Sequence, residues 1–251
     1  MPRAHRPVIR AVTFDFWDTI VAATVGSGDG MRRLQIERFA QTAAEAGRRL
    51  PAAEVEDAFD ANWARFEERW VANAGQHTPA DSVDFIAERL GLDVTGGLRE
   101  RLIDGFRRVG ERVPLETGRG IEEALDRLRG AGLRLGIVCD VGLTSAPTLR
   151  ARLEELGLLR RFDAWAFSDE TGWFKPAAEA FEPALGGLGV DDPSLAAHVG
   201  DNRRTDVAGA LGLGMVAVRF TGFHDRAPET GPEAHHVIDD HRSLPPLLGV
   251  A

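Results

Sequence analysis

Apolar residues in this chain fall into two patterns. The first consists of short, nearly continuous runs that close on a polar residue or a turn. These are "VIRAVTFD" (8–15), "LRLGIVCD" (133–140), "AWAFSD" (164–169), "LAAHVGD" (195–201), "GMVAVRF" (214–220) and "HHVID" (235–239). Runs of this length and composition read as strands buried on both faces. Between them apolar residues recur at helical spacing, as in Ile121, Ala124, Leu125 and Leu128, in Leu149, Leu153 and Leu156, and in Val207, Ala210 and Leu211. Strands alternating with helices predict an α/β fold, a parallel sheet covered on both sides. Pro176 suits the first turn of a helix, and Pro183 is expected to kink or shorten that helix.

The second pattern fills residues 21–115 and is helical throughout. Ile36, Phe39, Ala40, Ala43, Ala46 and Leu50 form one stripe; Val55, Phe59, Trp63, Phe66 and Trp70 form another. Val83, Ile86 and Leu90 make a third, and Leu98, Leu102 and Phe106 a fourth. Pro51, Pro79 and "LDVTGG" (92–97) separate them. The expected organisation is an α/β core of residues 1–20 and 116–251, with residues 21–115 inserted after its first strand as a helical domain. The last ten residues read as a short terminal helix or tail. No internal repeat or low-complexity tract appears.

Composition narrows the classes. The 251 residues are 43% hydrophobic and 27% charged, as in soluble globular proteins. No run approaches the ~18 apolar residues that cross a membrane. The basic start "MPRAHRPVIR" is followed by too short an apolar stretch for a signal peptide, so a cytoplasmic location is expected. The single cysteine, Cys139, agrees with a reducing compartment. A net charge of −9, with no basic patch carrying aromatics, argues against nucleic-acid binding. Of the 30 basic residues only Lys175 is a lysine.

Four predicted strands end in acid, at Asp15, Asp140, Asp169 and Asp201. Ligands of open parallel sheets bind at the carboxyl ends of the strands. One such Asp is as easily a helix N-cap. Four gathered in one crevice repel each other and call for a proton, a basic group or a metal, which points to a metal or phosphate site.

The order of these signals resembles the haloacid dehalogenase superfamily of hydrolases. "DFWDT" matches its first motif with Asp15 and Thr19. Cys139 in "GIVCD" stands at the Ser/Thr position of the second. "FKP" supplies the Lys175 of the third, and "GDNRRTD" supplies Gly200, Asp201 and Asp206 of the fourth. The resemblance implies a Rossmann-like parallel-sheet core with an all-helical cap domain inserted after the first motif. It implies Asp15 as nucleophile, supported by Lys175, and Mg²⁺ held by Asp15, Asp201 and the backbone carbonyl of Trp17. Asp206 would bind the metal through water or orient Lys175. Thr19, Cys139, Asp140 and Lys175 form the expected phosphate-binding set, with Asp140 protonated or turned away.

The chain departs from the family pattern at two positions. Trp17 stands where phosphatases of this kind carry the Asp that protonates the leaving group, and Cys139 replaces a hydroxyl. Asp18 is adjacent, but neighbouring side chains of an extended segment point apart, so it is expected to hydrogen-bond within its loop. The leading expectation is a Mg²⁺-dependent phosphatase acting on a small phosphorylated metabolite through an aspartyl intermediate. The alternatives are a 2-haloacid dehalogenase, whose halide leaves without a proton and whose relatives carry an aromatic at the Trp17 position, and a catalytically weak protein that binds a phosphometabolite or a partner. In the inserted region Trp63, Phe66 and Trp70 are expected as packing, and His77 as structural. Arg203 and Arg204 are expected to be solvated or ion-paired, and His235 and His236 lack complementary metal-ligand spacing.

Overall fold

The computed structural model describes residues 8–24, 29–72, 75, 77–225 and 230–250. The chain divides into two compact units. The first comprises Met1–Ala22, Glu116–Asp140 and Leu156–Ala251, and the second Ala23–Leu115 and Val141–Glu155.

Eight strands are present among the described residues: β1 (Ala11–Phe14), β2 (Val21–Ala23), β3 (Leu115–Thr117), β4 (Arg134–Cys139), β5 (Ala164–Phe167), β6 (Ala196–Gly200), β7 (Val216–Phe220) and β8 (His236–Ile238). Six of them form the sheet of the first unit in the order β5-β4-β1-β6-β7-β8, every neighbouring pair parallel. Each of the six apolar runs supplies one of these strands. β1 lies in the interior of the sheet, between β4 and β6, and all four of its residues are buried. This burial on both faces is why the run shows no polar alternation. β2 and β3 pair as a separate two-stranded sheet, where the chain leaves and re-enters the first unit.

The ten α-helices of the described residues are α1 (Asp29–Glu45), α2 (Ala52–Ala72), α3 (Pro79–Arg89), α4 (Leu98–Arg112), α5 (Ile121–Gly130), α6 (Ala146–Glu155), α7 (Ser168–Thr171), α8 (Glu182–Gly187), α9 (Ala208–Gly212) and α10 (Leu244–Leu247). In the first unit Ala184, Leu185 and Leu188 of the α8 region and Ala210 of α9 join Ala11, Val138, Ala196 and Ala217 of the sheet in one apolar cluster. Pro176 does not open a helix as expected. A 3₁₀ turn occupies Ala178–Ala180, and α8 starts afresh at Glu182 with Pro183 in its first turn. The missing proline N–H costs nothing there, because first-turn amides have no intrahelical partner. α10 supplies the expected terminal helix.

The second unit is built from α1–α4 and α6. Phe39, Phe59 and Phe106 form its aromatic centre, with ring centroids 5.5–6.4 Å apart. Thr78 and Asp81 start α3 with reciprocal side-chain-to-backbone hydrogen bonds, a capping box. On α2 Phe66 is buried, while Trp63 remains 42% exposed and Trp70 is half-buried. The apolar stripe thus continues past what the unit covers. No helix among the described residues is long and apolar enough to cross a membrane.

Candidate functional site

The parallel register brings the strand ends to one rim of the sheet. Phe14 pairs with Ile137 of β4 and with Val199 of β6, so Asp15, immediately after β1, and Asp201, immediately after β6, stand side by side. The Asp15 amide donates to Val199 O at 2.8 Å. Cys139 ends β4, with Asp140 following it, while Asp169 lies in α7 beyond β5.

Lys175 reaches into this rim and is 2% exposed. Its Nζ donates to Asp15 Oδ1 (2.5 Å), Asp206 Oδ1 (2.6 Å) and Val138 O (3.1 Å). An ammonium has three hydrogens, so this arrangement uses all of them and leaves none for a direct bond to phosphate. The two carboxylates outweigh burial and hold Lys175 well above the ordinary lysine range, as a cation. Asp140 is turned away as well. Its Oδ1 accepts from the Lys175 amide at 3.0 Å, so it braces the lysine's backbone.

Asp206 is bonded through both oxygens. Oδ1 accepts from Lys175 and faces His198 Nε2 at 3.1 Å; Oδ2 accepts from the Asn202 amide (3.0 Å) and the Thr205 hydroxyl (3.4 Å). Despite burial, Lys175 and His198 hold Asp206 well below the usual carboxylate range. His198 is kept neutral by burial, and its Nδ1 lies 2.8 Å from Thr13 Oγ1. Gly200 is required by contact: a Cβ there would lie 2.2 Å from Asp206 Cγ. Asn202 Oδ1 accepts from the Arg204 and Thr205 amides, capping the π-helical turn Arg203–Val207 that carries Asp206.

Thr19 Oγ1 is buried without a hydrogen-bond partner among the described residues. The Thr19 carbonyl accepts from His241 Nε2 at 3.0 Å, and the His241 ring stacks on Phe220 at 4.1 Å. Trp17 forms a β-bridge with Val21 and sets its ring edge-on to Phe16, so it offers no acid in place of the missing Asp. Asp18 holds a left-handed backbone (φ 53°), a conformation short polar side chains tolerate, and its amide donates to Val21 O. The Cys139 thiol is raised well above its ordinary range by burial, which leaves it a protonated space-filler.

The pattern of the sequence did not single out His198 and His241. For His198 the available signal was a histidine inside a strand buried on both faces, where its ring nitrogens need partners; His241 lies in a 3₁₀ turn and carried no such signal. Of the other residues considered, His77 is bonded to Asn62 Oδ1 within the second unit (3.0 Å), and Arg203 is paired with Glu233. His235 Nδ1 accepts from the Ala217 amide (3.0 Å).

Asp15, Asp201 and Asp206 each bring a buried oxygen within 4.8 Å of the others, against one ammonium. Burial, with the Asp206 and Asp140 charges adding to it, pushes Asp15 up to about 7 against the pull of Lys175. A further cation would relieve that excess of negative charge. An all-oxygen set of this kind suits a hard divalent ion such as Mg²⁺. The residues present therefore fit the metal; Asp15 and Asp201 would be its direct carboxylate ligands, because the Asp206 oxygens are already engaged.

A family model of haloacid dehalogenase-like hydrolases matches residues 9–214. The chain belongs to this family. It is 33% identical to a phosphoserine phosphatase of Thermus thermophilus over 184 residues, which is 70% of this chain and 69% of that protein. It is 30% identical to the pyrimidine 5'-nucleotidase YjjG of Escherichia coli over 143 residues, 57% of this chain; the match spans only 59% of the nucleotidase's length. A solved 2-haloacid dehalogenase of Pseudomonas syringae shares the fold, with a TM-score of 0.69 at 21% identity, covering 96% of this chain and 98% of that one. The sheet order and parallel pairing are those of a Rossmann-like hydrolase core.

Proposed function

We propose that this haloacid dehalogenase-like hydrolase is a Mg²⁺-dependent phosphatase that cleaves small phosphate esters through a covalent intermediate on Asp15. The observation that carries the reading is the state of the Asp15 carboxylate. Lys175 holds Oδ1 at 2.5 Å, while Oδ2 has no hydrogen-bond partner among the described residues. One oxygen is thus oriented and the other is left to attack. The phosphatase and nucleotidase relatives support a phosphate-ester substrate.

In the first step Asp15 Oδ2 bonds to phosphorus as the bond to the leaving oxygen breaks, and that oxygen keeps the electron pair. In the second, water attacks phosphorus, the Asp15–phosphorus bond breaks, the carboxylate is restored and the proton of water passes to the released phosphate. Mg²⁺ held by Asp15, Asp201 and the Trp17 carbonyl would supply positive charge against the phosphoryl oxygens. Lys175 keeps the nucleophile in place between attack and release, and the buried Thr19 hydroxyl is a donor for the phosphoryl group. Trp17 offers no acidic proton, so the leaving oxygen departs as an anion. Substrates with acidic leaving groups, such as aryl or acyl phosphates, are therefore favoured.

The test is phosphate release from p-nitrophenyl phosphate and from an alkyl phosphate, with MgCl₂ and with EDTA. Magnesium-dependent release, faster from the aryl ester and abolished in Asp15→Asn, is expected. Halide release from a 2-chloroacid in EDTA, with no phosphate release, would replace this reading with the dehalogenase one.

A further inference from the structure

We infer that His198 is a positioning residue for the nucleophile, acting on Asp15 through Asp206 and Lys175. The inference deepens the phosphatase reading and rests on it for its kinetic consequence. Its structural consequence is independent of the reaction.

Hydrogen-bond chemistry fixes how the imidazole is used. His198 Nε2 faces Asp206 Oδ1 at 3.1 Å. An ionised carboxylate only accepts, so Nε2 carries the hydrogen. Nδ1 then accepts from the Thr13 hydroxyl at 2.8 Å. Thr13 of β1 is the register partner of His198 of β6, so the ring is held by the strand that leads directly into Asp15. Phe181 packs edge-on against the same ring, 5.0 Å between centroids. The chain of donors runs from the Thr13 hydroxyl to His198 and from His198 to Asp206. Lys175 donates to the same Asp206 oxygen and, with another hydrogen, to Asp15 Oδ1.

The consequence concerns where Nζ of Lys175 comes to rest. A carboxylate oxygen held only by an ammonium can swing with it. Here Asp206 Oδ1 has a second donor, rooted in β6, while Oδ2 is fixed by the Asn202 amide and the Thr205 hydroxyl. The third hydrogen of Lys175 goes to Val138 O of β4. Nζ is thereby located from β1, β4 and β6 together, at 2.5 Å from the attacking group's carboxylate. Removing the donor at the Nε2 position frees Asp206 Oδ1, and with it the ammonium.

The two isosteric halves of imidazole allow a test. In His198→Gln the amide nitrogen falls near Nε2 and can still donate to Asp206. In His198→Asn the amide oxygen falls near Nδ1 and still accepts from Thr13, while no donor reaches Asp206. With the aryl phosphate, His198→Asn is expected to lower kcat by about 10- to 100-fold, the range that misplacement by ~1 Å produces, with KM nearly unchanged. His198→Gln should recover most of the rate. The second readout needs no turnover. Lys175 is the only lysine in the chain, so ¹⁵N-lysine labelling gives one side-chain ammonium resonance. That resonance should be the same in the wild type and His198→Gln, and displaced or lost to exchange in a folded His198→Asn. An unmoved ammonium signal in folded His198→Asn, or, with an active wild type, equal kcat in the Asn and Gln variants, overturns the inference. A displaced signal with no phosphatase activity in the wild type upholds the positioning and removes only the assigned reaction.

Discussion

Lys175 and Asp15 are 160 positions apart in the chain, and their charged atoms are 2.5 Å apart at the rim of the sheet. The pair is buried, and the same ammonium also serves Asp206. Removing one partner of a buried pair leaves an uncompensated charge, which costs about 3–5 kcal/mol. Lys175→Met should therefore lower unfolding stability by that order near neutral pH, measured by urea denaturation. The loss should shrink at lower pH, where a proton on Asp15 replaces the missing positive charge. Phosphate release should fall by about 10²-fold or more, as when a charge-stabilising donor is removed.

Asp15 binds a proton up to about pH 7 because of its burial and its acidic neighbours. Mg²⁺ and that proton compete for the same carboxylate. Added MgCl₂ should raise the melting temperature, and by more at about pH 8 than at about pH 6, where the proton is already in place. Asp201→Asn should abolish most of the rise at both values. A rise independent of pH would assign the ion to some other group.

His241 gives a pH dependence of stability that can be isolated. Burial lowers it from 6.5 to about 4, even though the Thr19 carbonyl and Asp240 pull it the other way. The unfolded chain therefore binds this proton more readily than the folded one. The stability due to neutral His241 is complete above pH 6.5 and is lost as pH falls towards 4, by about 3 kcal/mol at most. The stability gap between wild type and His241→Phe should narrow over that interval. Taking the difference cancels the opposing titration of Asp15 and the contributions of His198 and His77.

Trp17→Asp restores a carboxylic acid where the family's phosphatases use one. If the missing acid limits turnover, the variant should hydrolyse alkyl phosphates faster by about 10-fold or more, towards the 10²–10⁴ that acid–base catalysis supplies. Aryl phosphates should gain little. The alkyl-to-aryl rate ratio in both proteins is the measurement, and an unchanged ratio in a folded variant would argue that another group already protonates the leaving oxygen.

Gly200→Ala tests the closeness of β6 to Asp206. The added methyl would meet Asp206 Cγ at 2.2 Å, and overpacking of this kind costs about 1–3 kcal/mol. Thermal denaturation should report that loss, and phosphate release should fall with it as Asp206 moves away from Lys175.

The sheet was legible because most of its strands are buried on both faces and several of them close on acids at one rim. The apolar run and the terminal Asp are thus two views of one strand. Lys175 was legible for a compositional reason, being a lone lysine among arginines. His198 and His241 were not, because their meaning depends on Thr13 and Thr19, 185 and 222 residues away in the chain. The turn at Ala178–Ala180 and the fresh start of α8 were missed because a proline in a first turn and a proline inside a helix look alike until the boundary is known. α6 shows the same limit at the scale of units. Its apolar spacing fits a helix of an α/β core, yet residues 141–155 group with the helical unit. Trp63 fits its stripe by spacing and is nonetheless exposed, since spacing defines a helix face and not how much of it a neighbour covers.

β1 is made first and needs its partners last. Ala11 pairs with Arg134 and with Ala196, so on the ribosome this apolar strand emerges well over a hundred residues before its first neighbour and longer still before its second. Both of its edges stay open during that wait, which is when strands of this character attract the wrong partners. Asp15 acquires Lys175 and Asp206 only when the second half of the chain arrives. A nascent chain ending before β6 therefore carries Asp15 and Lys175 without Asp206, and the set of three is complete only when β6 and the turn after it join the sheet.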